Sequence, residues 1–331
     1  MCFVHRSHLK GDMMSLFKNE DSLHCISSFR IIDERGMLEE GVGSGVTRDV
    51  IATFWHSCLQ LQWSVTEKRF HVYVTTFKKS EWKAIGRVLV FGFKVVSYFP
   101  ISLCKAFLAS CLFGEESIDD EFLLSSFRFY ITSEEQETFD KIRKGDCESD
   151  DDDVLDFLGN YKTFTMPTIG NINSLLSELA HQELIQKLRY IAQCWVPVLA
   201  ELQQYPEFSS TSGLDDLFSA KMLSAKKTAR MLQSQPVNET ESQCLDYLKK
   251  FIGSLDALAL GTFLKFTMGS DIQRECLEVS FTSMDGYLRR PIAHTCGPLL
   301  ELPRTYRSYS KLAEEFTSLL WEKGAWRFNI V

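Results

Sequence analysis

Apolar residues recur at three- and four-residue spacing over most of this chain, and alternate with polar ones in only a few short stretches. The first predicts amphipathic helices. A helix from about Thr47 to Leu61 opens at a turn containing Gly41, Gly43 and Gly45, whose freedom at positive φ suits such a start. Glu81 to Val96 places Ile85, Leu89 and Phe93 on one face. Ile118 to Phe129 and Asn173 to Leu188 read the same way, and Trp195 to Leu199 reads as buried packing. A further helix is expected over Ala220 to Leu232. Leu245, Leu248, Phe251 and Ile252 then mark one helix, Leu258, Leu260, Phe263 and Leu264 a second, and Tyr309 to Leu320 closes the pattern.

Strict alternation is rarer. Phe70 to Val74, then Leu277, Val279 and Phe281, then Leu300 with Leu302 read as short strands. Residues 1–28 show no clear period and predict a loosely held, poorly ordered leader. Gln233 to Asn238 is short and polar and carries Pro236, which makes it the best candidate linker. The acidic run Glu148 to Asp153 lacks the spaced ligands and glycine turn of a calcium loop, and predicts a solvated loop.

Composition narrows the function classes. At 331 residues, 45% apolar and 24% charged, the chain has the make-up of an ordinary globular protein. A net charge of −8 argues against a nucleic-acid surface. The apolar run Val88 to Phe113 is interrupted by Lys94 and Lys105 and broken at Pro100, so two buried helices meeting at a proline explain it better than a membrane span. Ten cysteines without paired spacing, and a start without an apolar signal core, suggest reduced thiols in the cytosol or nucleus. Cys2, His5, His8, His24 and Cys25 match no common zinc pattern, and the Gly41–Gly45 turn lacks the residues of a phosphate cradle.

The candidate chemistry lies between Arg289 and Tyr306. Cys296 stands between His294-Thr295 and Gly297-Pro298, a pair that breaks helices and central strands, so the cysteine is expected on a loop. Leu300 and Leu302 then anchor that loop. Arg289, Arg290 and Arg304 bring positive charge nearby in sequence, which favours a thiolate.

The order Pro291, Ala293, Thr295, Cys296, then Leu300, Leu302, Pro303 and Tyr306, resembles the active-site signature of HECT-type ubiquitin ligases, with the tyrosine one residue later than usual. Phe328, fourth from the C-terminus, stands where those ligases carry a phenylalanine needed for transfer. Weaker similarities extend back to about Ile31. Arg48-Asp49 stands in place of an Arg-Glu element, Gly86 and Arg87 precede Phe99-Pro100, and Phe266 to Ser270 resembles a C-lobe turn. The run Ala180 to Gln186 resembles the divergent branch that includes the G2/M-phase-specific ubiquitin ligase.

The resemblance implies an α+β, bilobal fold. A mostly helical N-lobe over 29–235 docks the conjugating enzyme, and a hinge joins it to a smaller α/β C-lobe over 236–331. It implies a transferase that accepts ubiquitin as a thioester on Cys296, with Phe328 aligning the transfer. His294 is the candidate to assist the thiol and Thr295 to hydrogen-bond the sulfur or the thioester carbonyl, the alternative being that both only shape the loop. The partners implied are ubiquitin, a ubiquitin-conjugating enzyme and a protein substrate, with no nucleic acid, membrane, metal or cofactor, in the cytoplasm or nucleus. A HECT-derived scaffold or adaptor of weakened activity is the alternative.

Overall fold

Residues 1–60, 77–146, 151–163, 165, 167–168, 170–269, 276–286, 289–295 and 297–321 are described by a computed structural model, leaving aside the side chains at 59, 60 and 257. The strand expected at Phe70–Val74 lies outside these residues, as do Glu148 to Asp150 of the acidic run. Strand β1 (Cys2–His5) leads to helix α1 (Leu9–Phe17), the short helix α2 (Ser22–Cys25) and strand β2 (Phe29–Ile32), which pairs with β1 in parallel. The segment expected as a loose leader is therefore built into the fold. Leu9, Met13, Met14 and Phe17 form one buried stripe of α1, a helical period that the surrounding polar residues hide in the sequence.

Helix α3 (Ser44–Gln60) follows the glycine turn, where Gly43 takes φ +95°. Helices α4 (Lys79–Val96) and α5 (Lys105–Phe113) lie on either side of Pro100, as the broken apolar run predicts. Helix α6 (Asp120–Tyr130) is capped by Asp119, which accepts from the Phe122 N–H at 2.7 Å. Helix α7 (Ser133–Lys144) has no counterpart in the sequence reading. Its residues are nearly all polar, and only Phe139, Ile142 and Glu135 are buried. What starts and stops it is local: a reciprocal capping box between Thr132 and Glu135, then Gly145 in the left-handed region.

Helix α8 (Asp152–Asn160) corrects the acidic loop in part, because Asp151 caps it and Asp152 and Asp153 occupy its first turn. Carboxylates are favoured there by the orphan N–H groups. Helices α9 (Ile172–Leu184), α10 (Arg189–Leu199) and α11 (Thr211–Lys221) follow. In α10 the Trp195–Leu199 segment is only partly buried, with Val196 facing outward. The helix expected over Ala220–Leu232 is three pieces: the end of α11, helix α12 (Ala225–Arg230) and strand β3 (Leu232–Gln233). Backbone pairing of Leu232 with Leu277 overrides the local helical pattern.

Helices α13 (Glu239–Ser254) and α14 (Ala257–Met268), strands β4 (Leu277–Thr282), β5 (Ile292–His294) and β6 (Leu299–Pro303), and helix α15 (Tyr309–Trp321) complete the order. The class is α+β, mostly helical with a small mixed sheet. That sheet runs β3-β4-β6-β5, with β3, β4 and β6 parallel and β5 antiparallel to β6.

The chain divides into two compact units. One comprises Met1–His56, Phe91–Pro100 and Lys221–Val331, so the lobe boundary expected at 235/236 falls inside it. Its C-terminal core packs α13, α14 and α15 on the sheet through Leu248, Ile252, Phe263, Leu300, Leu302 and Phe316, all without exposure. The other comprises Ser57–Val90 and Ile101–Ala220. There the buried Trp195 indole donates to Trp82 O at 2.9 Å, and Gly86 gives it room, since a Cβ would lie 3.3 Å from Trp195 Cδ1. No described helix is long and apolar enough to cross a membrane.

Candidate functional site

Strands β5 and β6 pair Ile292 with Glu301, Ala293 with Leu300 and His294 with Leu299, so Thr295, Gly297 and Pro298 lie at the tip of the hairpin. The period-two geometry of strands then sorts the side chains. Leu300 and Leu302 point into the core with no exposure, while His294, Leu299 and Glu301 share the opposite face. The hairpin is thus held from beneath by two leucines. Replacing either with a polar residue would strip its anchor.

Two of the four expected site residues are described. His294 is exposed, and its Nε2 lies 2.9 Å from Glu301 Oε1 across the strand pair. Thr295 is half-buried, and its carbonyl accepts a 2.6 Å bond from Arg48 Nη2. Cys296 and Phe328 lie outside the described residues.

The arginines near the tip are less available than their sequence suggests. Arg289 donates to Glu315 Oε1 from Nε at 3.1 Å and Nη2 at 2.5 Å, and its guanidinium lies 5.0 Å from the Tyr306 ring centroid. The hydrogen bond to Glu315 raises the Arg289 pKa, and burial pushes the Tyr306 phenol well up. Arg304 Nη1 donates to Glu241 at 3.3 Å. Two of the three positive charges are therefore offset by carboxylates, and Arg290 is exposed.

A different cation reaches the tip. Arg48 sits near the start of α3, in a stretch where Val46, Thr47, Asp49, Val50 and Ile51 are all buried too. Its Nε donates to Met268 O at 3.2 Å, alongside the bond to Thr295. The next residue, Asp49, accepts from Arg6 Nη1 at 3.2 Å, while Arg6 also forks onto Glu39 at 2.7 and 2.8 Å. In sequence Arg48-Asp49 only stands in place of an Arg-Glu element. A lone Arg-Asp pair among apolar neighbours such as Val46, Val50 and Ile51 was the signal available, because buried charges are kept where they have partners.

Beyond β6 an open pocket of about 590 Å³ is lined by Asn238, Thr240, Gln243, Asp285, Arg304, Thr305, Tyr306 and Arg307. Its charges are of both signs and select no single ligand. Among the described residues no group of three or more His, Cys, Asp or Glu side chains is arranged to hold a metal, and His5 is instead 2.9 Å from Asp12. No protein-family model matches the chain, and no curated protein matches it.

Proposed function

We propose that this chain is a HECT-type ubiquitin-protein ligase that carries ubiquitin as a thioester on Cys296. The observation that supports the reading is the sequence of one hairpin. The Thr295-Cys296 pair of the signature follows strand β5 in sequence, and the Leu-x-Leu-Pro after it is the strand β6, rooted by Leu300 and Leu302. A short tip on a rooted strand suits a nucleophile that must meet large protein partners without losing its geometry.

The chemistry follows from sulfur. A thiol near its ordinary pKa of about 8.5 is already a few per cent thiolate at neutral pH, and strongly nucleophilic. The Cys296 thiolate attacks the thioester carbonyl joining ubiquitin to the conjugating enzyme, and that enzyme's thiolate leaves. A substrate lysine amine then attacks the new thioester, forms an amide, loses its proton and releases the Cys296 thiolate. In this reading His294 and Thr295 shape the tip, and Phe328 aligns the loaded lobe. A mostly helical lobe docks the conjugating enzyme and a hinged lobe carries the cysteine, with their boundary elsewhere than at 235/236, which lies inside one compact unit. The partners are ubiquitin, the conjugating enzyme and a protein substrate, in the cytoplasm or nucleus.

The test is incubation of the purified chain with activating enzyme, ubiquitin and a panel of conjugating enzymes. A ligase yields a ubiquitin adduct that a reducing agent removes and that Cys296→Ala abolishes. Absence of any such adduct across the panel would leave the scaffold alternative.

A further inference from the structure

We propose that Arg48 is a positioning residue, whose guanidinium bonds two backbone carbonyls at once and so fixes Thr295, the residue that precedes Cys296 in sequence. The consequence for activity rests on the ligase reading above, but the geometry does not. Arg48 is 4% exposed and bridges Met268 O, at 3.2 Å, and Thr295 O, at 2.6 Å. Met268 ends α14, so its carbonyl is one of the orphans at a helix C-terminus, where positive charge is favoured. Thr295 O belongs to the planar peptide unit that contains the amide nitrogen of residue 296.

A second observation shows how closely the segments meet. Gly269, just past α14, takes φ +72°, and a Cβ there would lie 2.9 Å from Gly45 O and 3.4 Å from Thr295 Cβ. The start of α3, the end of α14 and the hairpin tip therefore converge where not even a methyl fits. Asp49 adds a neighbouring tie, 3.9 Å from Lys265 Nζ on α14, and Lys265 also donates to Thr53 at 3.1 Å. The bridge needs arginine in particular. A planar fork presents two donors at a fixed separation, whereas lysine offers one compact charge on a flexible stem. Burying a charge is costly unless it is bonded, so a tie of this kind gives Arg48 a reason to be there.

The experiment compares the full chain with Arg48→Lys and with Gly269→Ala, which crowds the same junction while leaving Arg48 in place. Hydrogen exchange of the peptides covering residues 289–303 reads the position of the hairpin without ubiquitin. Single-turnover formation of the Cys296 thioester reads the consequence. The expected result for Arg48→Lys is exchange about tenfold faster in the hairpin, with the rest of the chain unchanged, and loading slower by about tenfold to a hundredfold, since a misplacement of about 1 Å can cost about a hundredfold in rate. Gly269→Ala is expected to slow loading likewise. Wild-type exchange and loading in Arg48→Lys, or exchange that rises uniformly with a fall in stability, would overturn the proposal. If the wild-type chain accepts no ubiquitin while the hairpin still loosens, the ligase reading fails and the positioning role stands.

Discussion

At the scale of single residues, burial already separates packing thiols from accessible ones. Cys244 has no exposure and its sulfur lies 3.8 Å from Tyr306 O, and burial raises its pKa. Cys104 is pushed up to about 11 by burial, and Cys111 is raised by the same cause. Thiolate is the reactive form, so these three should resist a polar alkylating reagent in the native protein while exposed Cys25 reacts, with all four reacting in denaturant. Mass mapping of the label checks this, and rapid native labelling of Cys244 would contradict the packing described. Glu241 gives a pH prediction. Accepting the Val237 N–H at 2.9 Å, with help from Asn238 and Arg304, holds its carboxyl below the usual range. A depressed carboxyl pKa adds stability above the unfolded value of about 4.3 and loses it as pH falls through the folded value. Glu241→Gln should therefore lower the urea midpoint at neutral pH, and the gap to wild type should close in acid. A gap of equal size at both pH values would show that the charge is not responsible.

At the scale of elements, strong apolar periods were legible and weak ones were not. Helices α4, α13, α14 and α15 follow from stripes such as Leu312, Phe316, Leu319 and Leu320, all buried. Helix α7 escaped because caps rather than apolar residues define it, and α1 because its stripe is short and set among polar residues. Strand β3 escaped because pairing with β4, not propensity, makes it a strand. The linker was half legible: Gln233 is in that strand and Ser234 Oγ donates to Val279 O at 2.8 Å, while Asn238 caps α13. Around the site, strand β6 was readable from Leu300 and Leu302, but its three-residue partner β5 was not, being too short to show an alternation. The Arg48 bridge was not, because it joins residues 247 positions apart in sequence. The hairpin's dependence on its root is measurable: Leu300→Ala should cost about 2–5 kcal/mol in urea unfolding, as for other fully buried leucines. A loss within error of zero would mean that the strand does not rest on the core.

At the scale of the whole molecule, the net charge of −8 argues against a nucleic-acid surface. On the proposed function ubiquitin passes through Cys296 on its way to lysine, and a single-turnover chase follows that passage. The full chain is loaded in a single turnover, the supply of conjugate is quenched, and lysine is added while the adduct and the product are followed separately. Cys296→Ser serves as the comparison, because an oxygen ester resists thiol reductants and reacts far less readily with amines. The account predicts that the wild-type adduct decays as the lysine product rises, and that Cys296→Ala gives neither. It also predicts that Cys296→Ser accumulates an adduct insensitive to reductant. Lysine product that forms at the same rate in Cys296→Ala, or a wild-type adduct that survives the chase undiminished, would contradict it.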